Sequence, residues 1–480
     1  MISMQKTIIF SSDGIRGIYG DWPLTSNGAW SLGVAVAKFA EDALGENLVV
    51  VARDTRYSGE ILSRNFIAGL SNERLKTIDL GIVSTPLLSF ITRSLNAKIG
   101  VMISASHSPH NYNGFKWVNN QGYRLQMDAE DIIANYFQEL VGSNGDETDY
   151  RLSNTQPIDT EKLIQQYCDD QIKLSKMDLL DMPKVVIDCA NGGISTIVRR
   201  IFGHSPNAFI INADREKTRF INDYCGSEYA RQHPEYLMAQ IRAKDAKYGF
   251  AFDGDGDRLV AMDDGGKFYN GDDFLFLLSK IFRNEITQRN NAVVTTDMVN
   301  TGLLDAFARN KIQVVQSQNG DKYLEKELQD NKYYLGSEQV GNILINDGHH
   351  ASADPLFALL VMIKFLVEQK IDIRELISDL KKYPQVLASF KYPNSWASQQ
   401  ILELADQFIR SEIPSVTLSK NTRIIRWCST TEPGNFNIMI EGKQDESINA
   451  FLELARSICK NILRAIGRSE NKINLLHLSD

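Results

Sequence analysis

The sequence YGFAFDGDGDR, residues 248–258, joins a short apolar run to an acidic turn. Asp253, Asp255 and Asp257 alternate with glycines, so the turn can be sharp enough for all three carboxylates to face one point. Carboxylates this close repel one another unless a cation lies among them. A hard divalent cation with few protein ligands, Mg²⁺, suits them best, and a solvated acidic turn is the alternative. The spacing is not that of an EF-hand, which needs a later Glu.

The apolar run before this turn predicts a buried strand, and the bulk composition predicts the setting of that strand. Ligands bind at the carboxyl ends of strands in open α/β sheets, where the acidic turn would lie. The chain has 480 residues, 43% hydrophobic and 23% charged, which is typical of a soluble globular protein with three or four domains. Its net charge of −8 argues against nucleic acid as a partner.

Cysteine usage and hydropathy restrict the compartment. The five cysteines are scattered and form no CxxC pair, so neither a disulfide framework nor a zinc site is predicted. No segment is long and apolar enough to span a bilayer, and the chain starts without a signal-peptide pattern. We therefore expect a cytoplasmic protein with no membrane partner.

Alternating strand and helix patterns predict three successive α/β domains and a smaller α+β C-terminal domain. The predicted domains are residues 1–145, 155–257, 258–370 and 371–480, with a polar linker at 143–157. Strands are predicted over residues 47–52, 98–103, 184–189, 292–296, 314–316, 423–427 and 436–441. Helices are predicted over residues 59–70, 86–95, 160–175, 234–243, 271–282, 354–368, 373–382, 398–410 and 447–466.

A second informative stretch, ISASHSPHNYNGFK at residues 103–116, follows a predicted strand and is expected to form an exposed loop. Ser106 offers a hydroxyl, and His107 and Lys116 offer groups for proton transfer or phosphate binding. No GxSxG elbow is present, which counts against a hydrolase with a Ser-His-Asp triad. An ordinary polar loop is the alternative. Arg16, between glycines in a tight turn, is either part of a plain turn or a phosphate contact.

Two further loops carry candidate binding groups. Glu338, in SEQVGN at residues 337–342, would bind sugar hydroxyls or cap a backbone segment. The stretch CSTTEPG, residues 428–434, packs hydroxyls and backbone N–H groups into a potential anion nest. Arg423 and Arg426 precede this stretch, and their guanidinium groups could each donate paired hydrogen bonds to a phosphate.

These loops, in this order, resemble those of the α-D-phosphohexomutase family, from Ser12 to about Gly442. The serine loop and DGDGDR together make the resemblance specific. The closest likeness is to the phosphoglucosamine mutase branch, while NYNGFK at residues 111–116 resembles phosphomannomutase/phosphoglucomutase. The resemblance implies four domains with mixed sheets around a central cleft, each domain contributing one loop.

The resemblance also implies a role for each candidate residue. Ser106 would be a phosphoserine, and Mg²⁺ would lie between its phosphate and the three aspartates. Arg16 and Arg258 would steady the transferring group, with Lys116 and His107 as acid/base or neighbouring cation. Glu338 would hold sugar hydroxyls, and the distal phosphate would contact Arg426, Ser429, Thr430 and Thr431.

The implied activity interconverts hexose 6-phosphate and 1-phosphate through a phosphoserine and a sugar bisphosphate, in a monomer or homodimer. Glucosamine phosphate is the expected substrate. Three alternatives stay open: a phosphomannomutase/phosphoglucomutase or a mutase for an unusual sugar, a phosphosugar-binding protein without turnover, and an aspartyl-nucleophile phosphatase. Val340 and Asn342 stand where the family has serine and histidine, Thr430 replaces a glycine, and Asn437 an arginine. The reaction type is therefore better defined than the sugar.

Overall fold

A computed structural model describes residues 14–70, 75–140, 158–393, 395–412, 422–429, 434–442, 447–469 and 473–477. The chain divides into two compact units, Met1–Met298 with Ile312–Ile377, and Val299–Lys311 with Ser378–Asp480. The predicted linker at 143–157 lies outside the described residues. The first unit contains three α/β segments.

The first segment is a mixed five-stranded sheet of order β1-β5-β4-β2-β3 with helices packed on it. Its elements are β1 (Ile15–Ile18), α1 (Ser26–Asp42), β2 (Glu46–Arg53), α2 (Gly59–Leu70), β3 (Lys76–Ile82), α3 (Thr85–Ser94), β4 (Ala97–Ile103), β5 (Tyr112–Asn119) and α4 (Met127–Glu139). β2 runs parallel to β3 and β4, and β5 is antiparallel to β4 and β1. Val49, Val50 and Val51 of β2 are fully buried, as expected for a strand covered on both faces.

The second segment repeats this plan with order β10-β9-β8-β6-β7. Its elements are α5 (Thr160–Ser175), β6 (Val185–Asp188), α6 (Ser195–Phe202), β7 (Ala208–Ile211), α7 (Gly226–Gln232), α8 (Pro234–Lys244), β8 (Tyr248–Phe252), β9 (Leu259–Asp263) and β10 (Phe268–Tyr269). β6 is parallel to β7 and β8, whereas β9 returns antiparallel to β8. The acidic turn therefore connects β8 to β9.

The third segment has a four-stranded sheet of order β12-β11-β13-β14. Its elements are α9 (Gly271–Ile281), α10 (Arg283–Gln288), β11 (Ala292–Thr296), α11 (Thr301–Arg309, assigned to the second unit), β12 (Gln313–Ser317), α12 (Asp321–Asp330), β13 (Leu335–Ser337), β14 (Ile343–Ile345), α13 (Pro355–Gln369) and α14 (Ile373–Leu376). α9 begins with a capping box in which Asn270 and Asp273 satisfy each other's backbone N–H groups.

The second unit is built on a four-stranded sheet of order β16-β17-β15-β18. Its elements besides α11 are β15 (Gln385–Lys391), α15 (Ser398–Glu412), β16 (Arg423–Cys428), β17 (Asn435–Glu441), α16 (Ile448–Ala465) and β18 (Asn474–His477). All its strand pairs are antiparallel. Apolar side chains of α15 and α16 form one core with this sheet.

The predicted fold class, three α/β segments with mixed sheets followed by a sheet-containing C-terminal part, is confirmed. The domain boundaries and the central cleft stay predictions. Two local predictions are wrong. The helix expected over 373–382 ends at Leu376, whose carbonyl accepts a hydrogen bond from Lys280 Nζ at 2.6 Å. The second is the 103–116 loop, because its last residues, from Tyr112, belong to β5.

The cysteines and the helices of the described residues bear on redox state and membrane insertion. All five cysteines are free thiols, and four of them are buried. Across the described ranges, no helix combines the length and apolar character needed to cross a bilayer.

Candidate active site

Ser106 lies in the turn between β4 and β5, and its side chain is buried rather than exposed as predicted. Its backbone φ is +50°, a left-handed conformation that costs a non-glycine residue free energy and is common at functional sites. Its N–H donates to Ser104 Oγ at 2.9 Å. Its carbonyl accepts from Asn222 Nδ2 at 2.7 Å, so a residue of the second segment covers the loop. This cover explains why the loop is not exposed.

Arg56 holds the serine loop from the other side. Its Nη2 donates to the carbonyls of Ser106 at 2.8 Å and Ser108 at 2.7 Å, and its Nη1 to Pro109 and Tyr112. Its Nε donates to Asp54 Oδ2 at 2.9 Å, and both side chains of this ion pair are fully buried. One guanidinium therefore shapes the whole turn.

The turn after β8 brings Asp253 to the serine. Ser106 Oγ donates to Asp253 Oδ2 at 2.5 Å. The other carboxylate oxygen accepts the backbone N–H groups of Asp257 and Arg258, at 3.1 and 3.2 Å. A side chain at Gly254 would come within 2.8 Å of the Ser106 carbonyl, so the two loops approach this closely only with glycine there.

Lys116 on β5 bridges the other two carboxylates. Its Nζ lies 2.7 Å from Asp255 Oδ2 and 2.9 Å from Asp257 Oδ2, and all three side chains are buried. Thr85, at the start of α3, donates its hydroxyl to the same Asp255 oxygen at 2.7 Å. Lys116 is therefore a fixed cation between two acids.

The three aspartates fit a divalent cation. One ligand atom from each lies within 4.8 Å of the others, and all three side chains are buried. Asp255 Oδ1 and Asp257 Oδ1 are buried and accept no hydrogen bond from any residue that the structure describes. Buried carboxylate oxygens seldom go unsatisfied, and oxygen donors of this kind suit Mg²⁺.

The pKa shifts record the crowding of these acids. Burial, reinforced by the charges of Asp257 and Asp255, raises the pKa of Asp253 well above its usual range. Burial and the Asp255 charge likewise raise the pKa of Asp257. Burial acts in the same direction on Asp255, but the Lys116 ammonium outweighs it and holds that pKa below its usual range.

Two further predicted residues lie beside this cluster. Arg258 Nη1 donates to His107 Nδ1 at 2.9 Å. Because a guanidinium can only donate, His107 accepts at Nδ1 and carries its proton on Nε2. Arg16 is on strand β1, paired with Gly114 of β5, so the tight turn expected around it is wrong. Its charge contributes to the lowered pKa of Asp255.

The turn between β13 and β14 carries Glu338, whose Oε1 accepts the N–H of Gly320 at 2.8 Å. Asn342, at the end of the same turn, is buried and donates from Nδ2 to the Asp257 carbonyl at 3.0 Å. The loop expected to bind sugar is thus tied directly to the acidic turn.

A buried ionic cluster lies between the first and third segments. Lys322 Nζ is 2.8 Å from Glu130 Oε2, and Arg124 Nε is 3.6 Å from Asp321 Oδ2. Glu325 accepts the N–H of Arg124 at 2.7 Å, and burial together with the Asp321 charge raises its pKa well above the usual range. None of these residues belongs to a motif from which the sequence predicts a functional role.

The predicted distal-phosphate residues belong to the second unit. Arg426 Nη2 donates to Asp406 Oδ2 at 2.5 Å, and the backbone N–H of Ser429 donates to Asn435 at 2.8 Å. Thr430 and Thr431 lie outside the described residues. Arg423, the other candidate phosphate donor, pairs with Glu441 at 3.4 Å.

Sequence reasoning did not assign roles to Asp54, Arg56, Thr85 or Asn222. One signal was available: Asp54, Thr55 and Arg56 directly follow the apolar strand β2, at the strand end where α/β proteins place functional groups. No pattern marks Thr85 or Asn222, because each reaches the site from a distant segment.

Comparison with family descriptions identifies three domains. Residues 7–141, 164–266 and 270–383 match the phosphoglucomutase/phosphomannomutase alpha/beta/alpha domains I, II and III. Among curated relatives, phosphoglucosamine mutase from Clostridium beijerinckii is 34% identical over 464 residues, covering 95% of this chain and 98% of that protein. The Clostridium botulinum (strain 657 / Type Ba4) phosphoglucosamine mutase is 33% identical over 472 residues, covering 97% and 99%.

Solved structures share the fold at lower identity. A phosphoglucomutase/phosphomannomutase family protein from Burkholderia thailandensis superposes with a TM-score of 0.73 at 21% identity, covering 98% of this chain and 100% of that one. The Aspergillus fumigatus N-acetylphosphoglucosamine mutase, solved with GlcNAc-6P and magnesium, superposes with a TM-score of 0.61 at 16% identity, covering 96% of both chains.

Proposed function

This chain belongs to the α-D-phosphohexomutase family and is a phosphosugar mutase, and we propose that it interconverts glucosamine 6-phosphate and glucosamine 1-phosphate. The sugar is inferred from relatives that are phosphoglucosamine mutases along nearly their whole length. The reaction proceeds through a phosphoserine and a sugar bisphosphate. The observation that carries the proposal is the 2.5 Å contact between Ser106 Oγ and Asp253, inside the triad of aspartates.

Ser106 is the phosphoryl carrier in this proposal. A sugar hydroxyl oxygen attacks the phosphorus, the bond from phosphorus to Ser106 Oγ breaks, and the proton of the hydroxyl ends on Ser106 Oγ as the bisphosphate forms. The bisphosphate turns over and returns its other phosphoryl group to Ser106 Oγ. Because phosphoryl transfer needs mainly positioning and charge stabilisation, the protein must hold Oγ rigidly. The loop contacts made by Arg56 and Asn222 provide that rigidity.

Mg²⁺ is the proposed cofactor, held by Asp253, Asp255 and Asp257 with the phosphate on Ser106. When bound, it would neutralise charge on the phosphoryl oxygens. Lys116 supports the same oxygens and fixes two of the carboxylates. Because its Nζ lies within hydrogen-bond distance of both carboxylates, Lys116 is proposed to act as a cation beside the phosphoryl group rather than as the general acid/base.

Arg258 and His107 form the side of the site next to the serine. The guanidinium positions the imidazole so that its Nε2–H is the group available to a phosphate oxygen. Arg16 adds positive potential near Asp255. Glu338 is the proposed acceptor for sugar hydroxyls, and Arg426, Ser429, Thr430 and Thr431 are proposed to contact the distal phosphate.

Phosphorus NMR tests this function directly. Purified protein with Mg²⁺ and a trace of sugar bisphosphate is incubated in turn with the 6-phosphates of glucosamine, mannose and glucose. We expect a 1-phosphate signal that grows fastest with glucosamine. A faster signal with mannose or glucose would reassign the substrate, and no signal with any of them would leave binding without turnover.

A further inference from the structure

A cavity of about 350 Å³ lies outside the candidate active site, between the first and second α/β segments. Its walls are the carboxyl ends of β2 and β3, the first turn of α5 and the chain after β7. Arg53 and Arg215 line it, together with Asp79 and Glu161. A cavity of this volume accommodates a small metabolite.

Neither arginine forms an ion pair with an acid among the described residues, although the charge of the neighbouring Glu216 acts on Arg215. Within the described ranges, the guanidinium of Arg53 makes no hydrogen bond or ion pair. Arg215 donates only to the Ile82 carbonyl, at 3.3 Å, and its Nε is buried with no partner among those residues. Burial and the nearby charge of Arg53 lower the pKa of Arg215. The two positive charges therefore repel each other.

The two acids of the cavity are already engaged. Asp79 Oδ1 accepts the N–H of Gly81 at 2.8 Å, and Glu161 pairs with Arg200. Neither carboxylate forms an ion pair with Arg53 or Arg215 in the structure. Both arginines line the same cavity with donors that no described acid pairs with, and an anion between them would offset their mutual repulsion.

We propose that this cavity is a second anion site, which binds a phosphate group of a small phosphorylated metabolite. Arg53 and Arg215 supply charged donors from two different segments. The first turn of α5 adds the positive end of a 16-residue helix. Phosphate is the fitting chemistry because a planar guanidinium recognises it with paired N–H donors. Neither Arg53 nor Arg215 has a role in the proposed mutase reaction.

The position of Arg53 connects this site to the serine loop. Arg53 is the last residue of β2, and the next residues are Asp54 and Arg56, the ion pair that holds the loop. Its carbonyl accepts the N–H of Val83 at 3.1 Å, two residues before Thr85, which contacts Asp255. A ligand that orders Arg53 therefore contacts the strand end from which the active site is built.

Isothermal titration calorimetry of the full chain with inorganic phosphate tests the proposal, with chloride at matched ionic strength as the reference. Arg53→Gln and Arg215→Gln each remove one cation. Arg242→Gln is the matched control, because Arg242 is exposed on α8 and lies outside the cavity. Circular dichroism checks that each variant is folded. If Arg215→Gln fails to fold, Arg53→Gln still tests the proposal, since the Arg53 guanidinium makes no hydrogen bond or ion pair among the described residues.

We expect the wild type and Arg242→Gln to bind phosphate alike, and each cavity variant to bind it about tenfold more weakly. Equal phosphate affinity in Arg53→Gln and Arg242→Gln would overturn the proposal. Phosphate that binds at the serine site should bind equally in all variants. The proposal is therefore supported only by phosphate binding that Arg53→Gln and Arg215→Gln weaken and Arg242→Gln does not. The mutase assay does not enter this comparison, so the two proposals fail independently.

Discussion

Ser106 unites two features that a structural serine seldom combines: a buried hydroxyl bonded to a carboxylate, and a left-handed backbone. Both are maintained by neighbours from other elements, Arg56 and Asn222. A serine held this firmly in a strained conformation suits the proposed role of Ser106 as the phosphoryl carrier.

Ser106→Ala should abolish mutase activity while the protein stays folded, because the loop is held through its backbone carbonyls rather than through this hydroxyl. Activity with glucosamine 6-phosphate and circular dichroism of the purified variant measure the two effects. Ser108→Ala is the matched control, since Ser108 Oγ is buried but makes no hydrogen bond with the part of the chain described. If Ser106→Ala retained activity within a few-fold of wild type, the carrier would be another residue.

Asp255→Asn should raise the Mg²⁺ concentration needed for half-maximal activity, because an amide offers one neutral oxygen where a carboxylate offers charge. The fold should persist, since an amide oxygen still accepts from Lys116 and Thr85. Asp245→Asn, at an exposed helix end, is the control. A metal titration that is the same in both variants would remove the acidic turn from the metal site.

Asn342→Ala should lower kcat about tenfold, the effect of one buried hydrogen bond, and change KM for the sugar less. The reason is that Asn342 contacts the Asp257 carbonyl, so it positions the acidic turn. A rise in KM at unchanged kcat would instead show that Asn342 acts on the sugar. Steady-state kinetics at saturating Mg²⁺ separates these results.

Residues with charge or hydroxyl groups in a tight motif could be predicted from the sequence, and their connections could not. The three aspartates, Ser106 and Lys116 were all singled out from their motifs. That Lys116 bridges Asp255 and Asp257 depends on pairing across 139 and 141 positions, which no local pattern encodes. Asn342 was expected to reflect a lost sugar contact, and its bond to Asp257 appears only in the folded chain.

At the scale of elements, the connection between β2 and α2 determines the shape of the serine loop. Its ion pair, Asp54 with Arg56, is fully buried. Burial raises the pKa of Asp54, and the Arg56 charge and the Ser104 hydroxyl oppose that shift. Removal of either partner leaves the other charge buried and uncompensated.

Arg56→Met should destabilise the protein by about 3–5 kcal/mol, the usual cost of breaking a buried ion pair from one side. Four backbone carbonyls of the serine loop also lose their donor, so activity should fall further than stability predicts. Urea unfolding and the mutase assay measure these effects.

The double variant Asp54→Asn/Arg56→Met separates the two roles. It should recover part of the stability, because no charge is left buried, but none of the activity. Recovery of both would show that the pair serves stability alone.

Element boundaries followed from the sequence wherever the pattern was long and the ends carried clear signals. The helices at 59–70 and 160–175 and the strand at 292–296 have the predicted bounds. α14 is shorter than predicted, and the carbonyl of its last residue, Leu376, accepts a hydrogen bond from Lys280 Nζ instead of continuing the helix. The sequence predicts loop for the first residues of β5 because Asn113 and Gly114 have weak strand propensity. Pairing with β4 and β1 overrides that preference.

At the scale of the molecule, His350 connects the second and third segments of the first unit. Its Nδ1 lies 2.9 Å from Asp347 and its Nε2 3.8 Å from Asp354 in the third segment. Gln171 of the second segment contacts the same ring at 3.2 Å. Burial alone would lower the pKa of His350, but the two carboxylates outweigh it and the charge of Arg93, so the pKa is raised.

A raised folded-state pKa means that the protonated imidazole stabilises the fold. That contribution is complete below the unfolded-state pKa of about 6.5 and is lost as the pH rises through the folded-state value. His350→Gln should therefore cost most stability in mildly acidic solution and less as the pH rises. Urea unfolding of both proteins from about pH 5.5 to 8.5 tests this, and a constant difference would contradict it.

The contact between Ser106 and Asp253 joins positions 147 residues apart, which orders events during synthesis. At roughly 5–20 residues per second, the ribosome adds the acidic turn about 7–30 s after the serine. Until then, the nascent serine has neither the carboxylate that fixes its hydroxyl nor the triad that would hold a metal. The proposed site is therefore complete only once parts of the polypeptide 147 positions apart have come together.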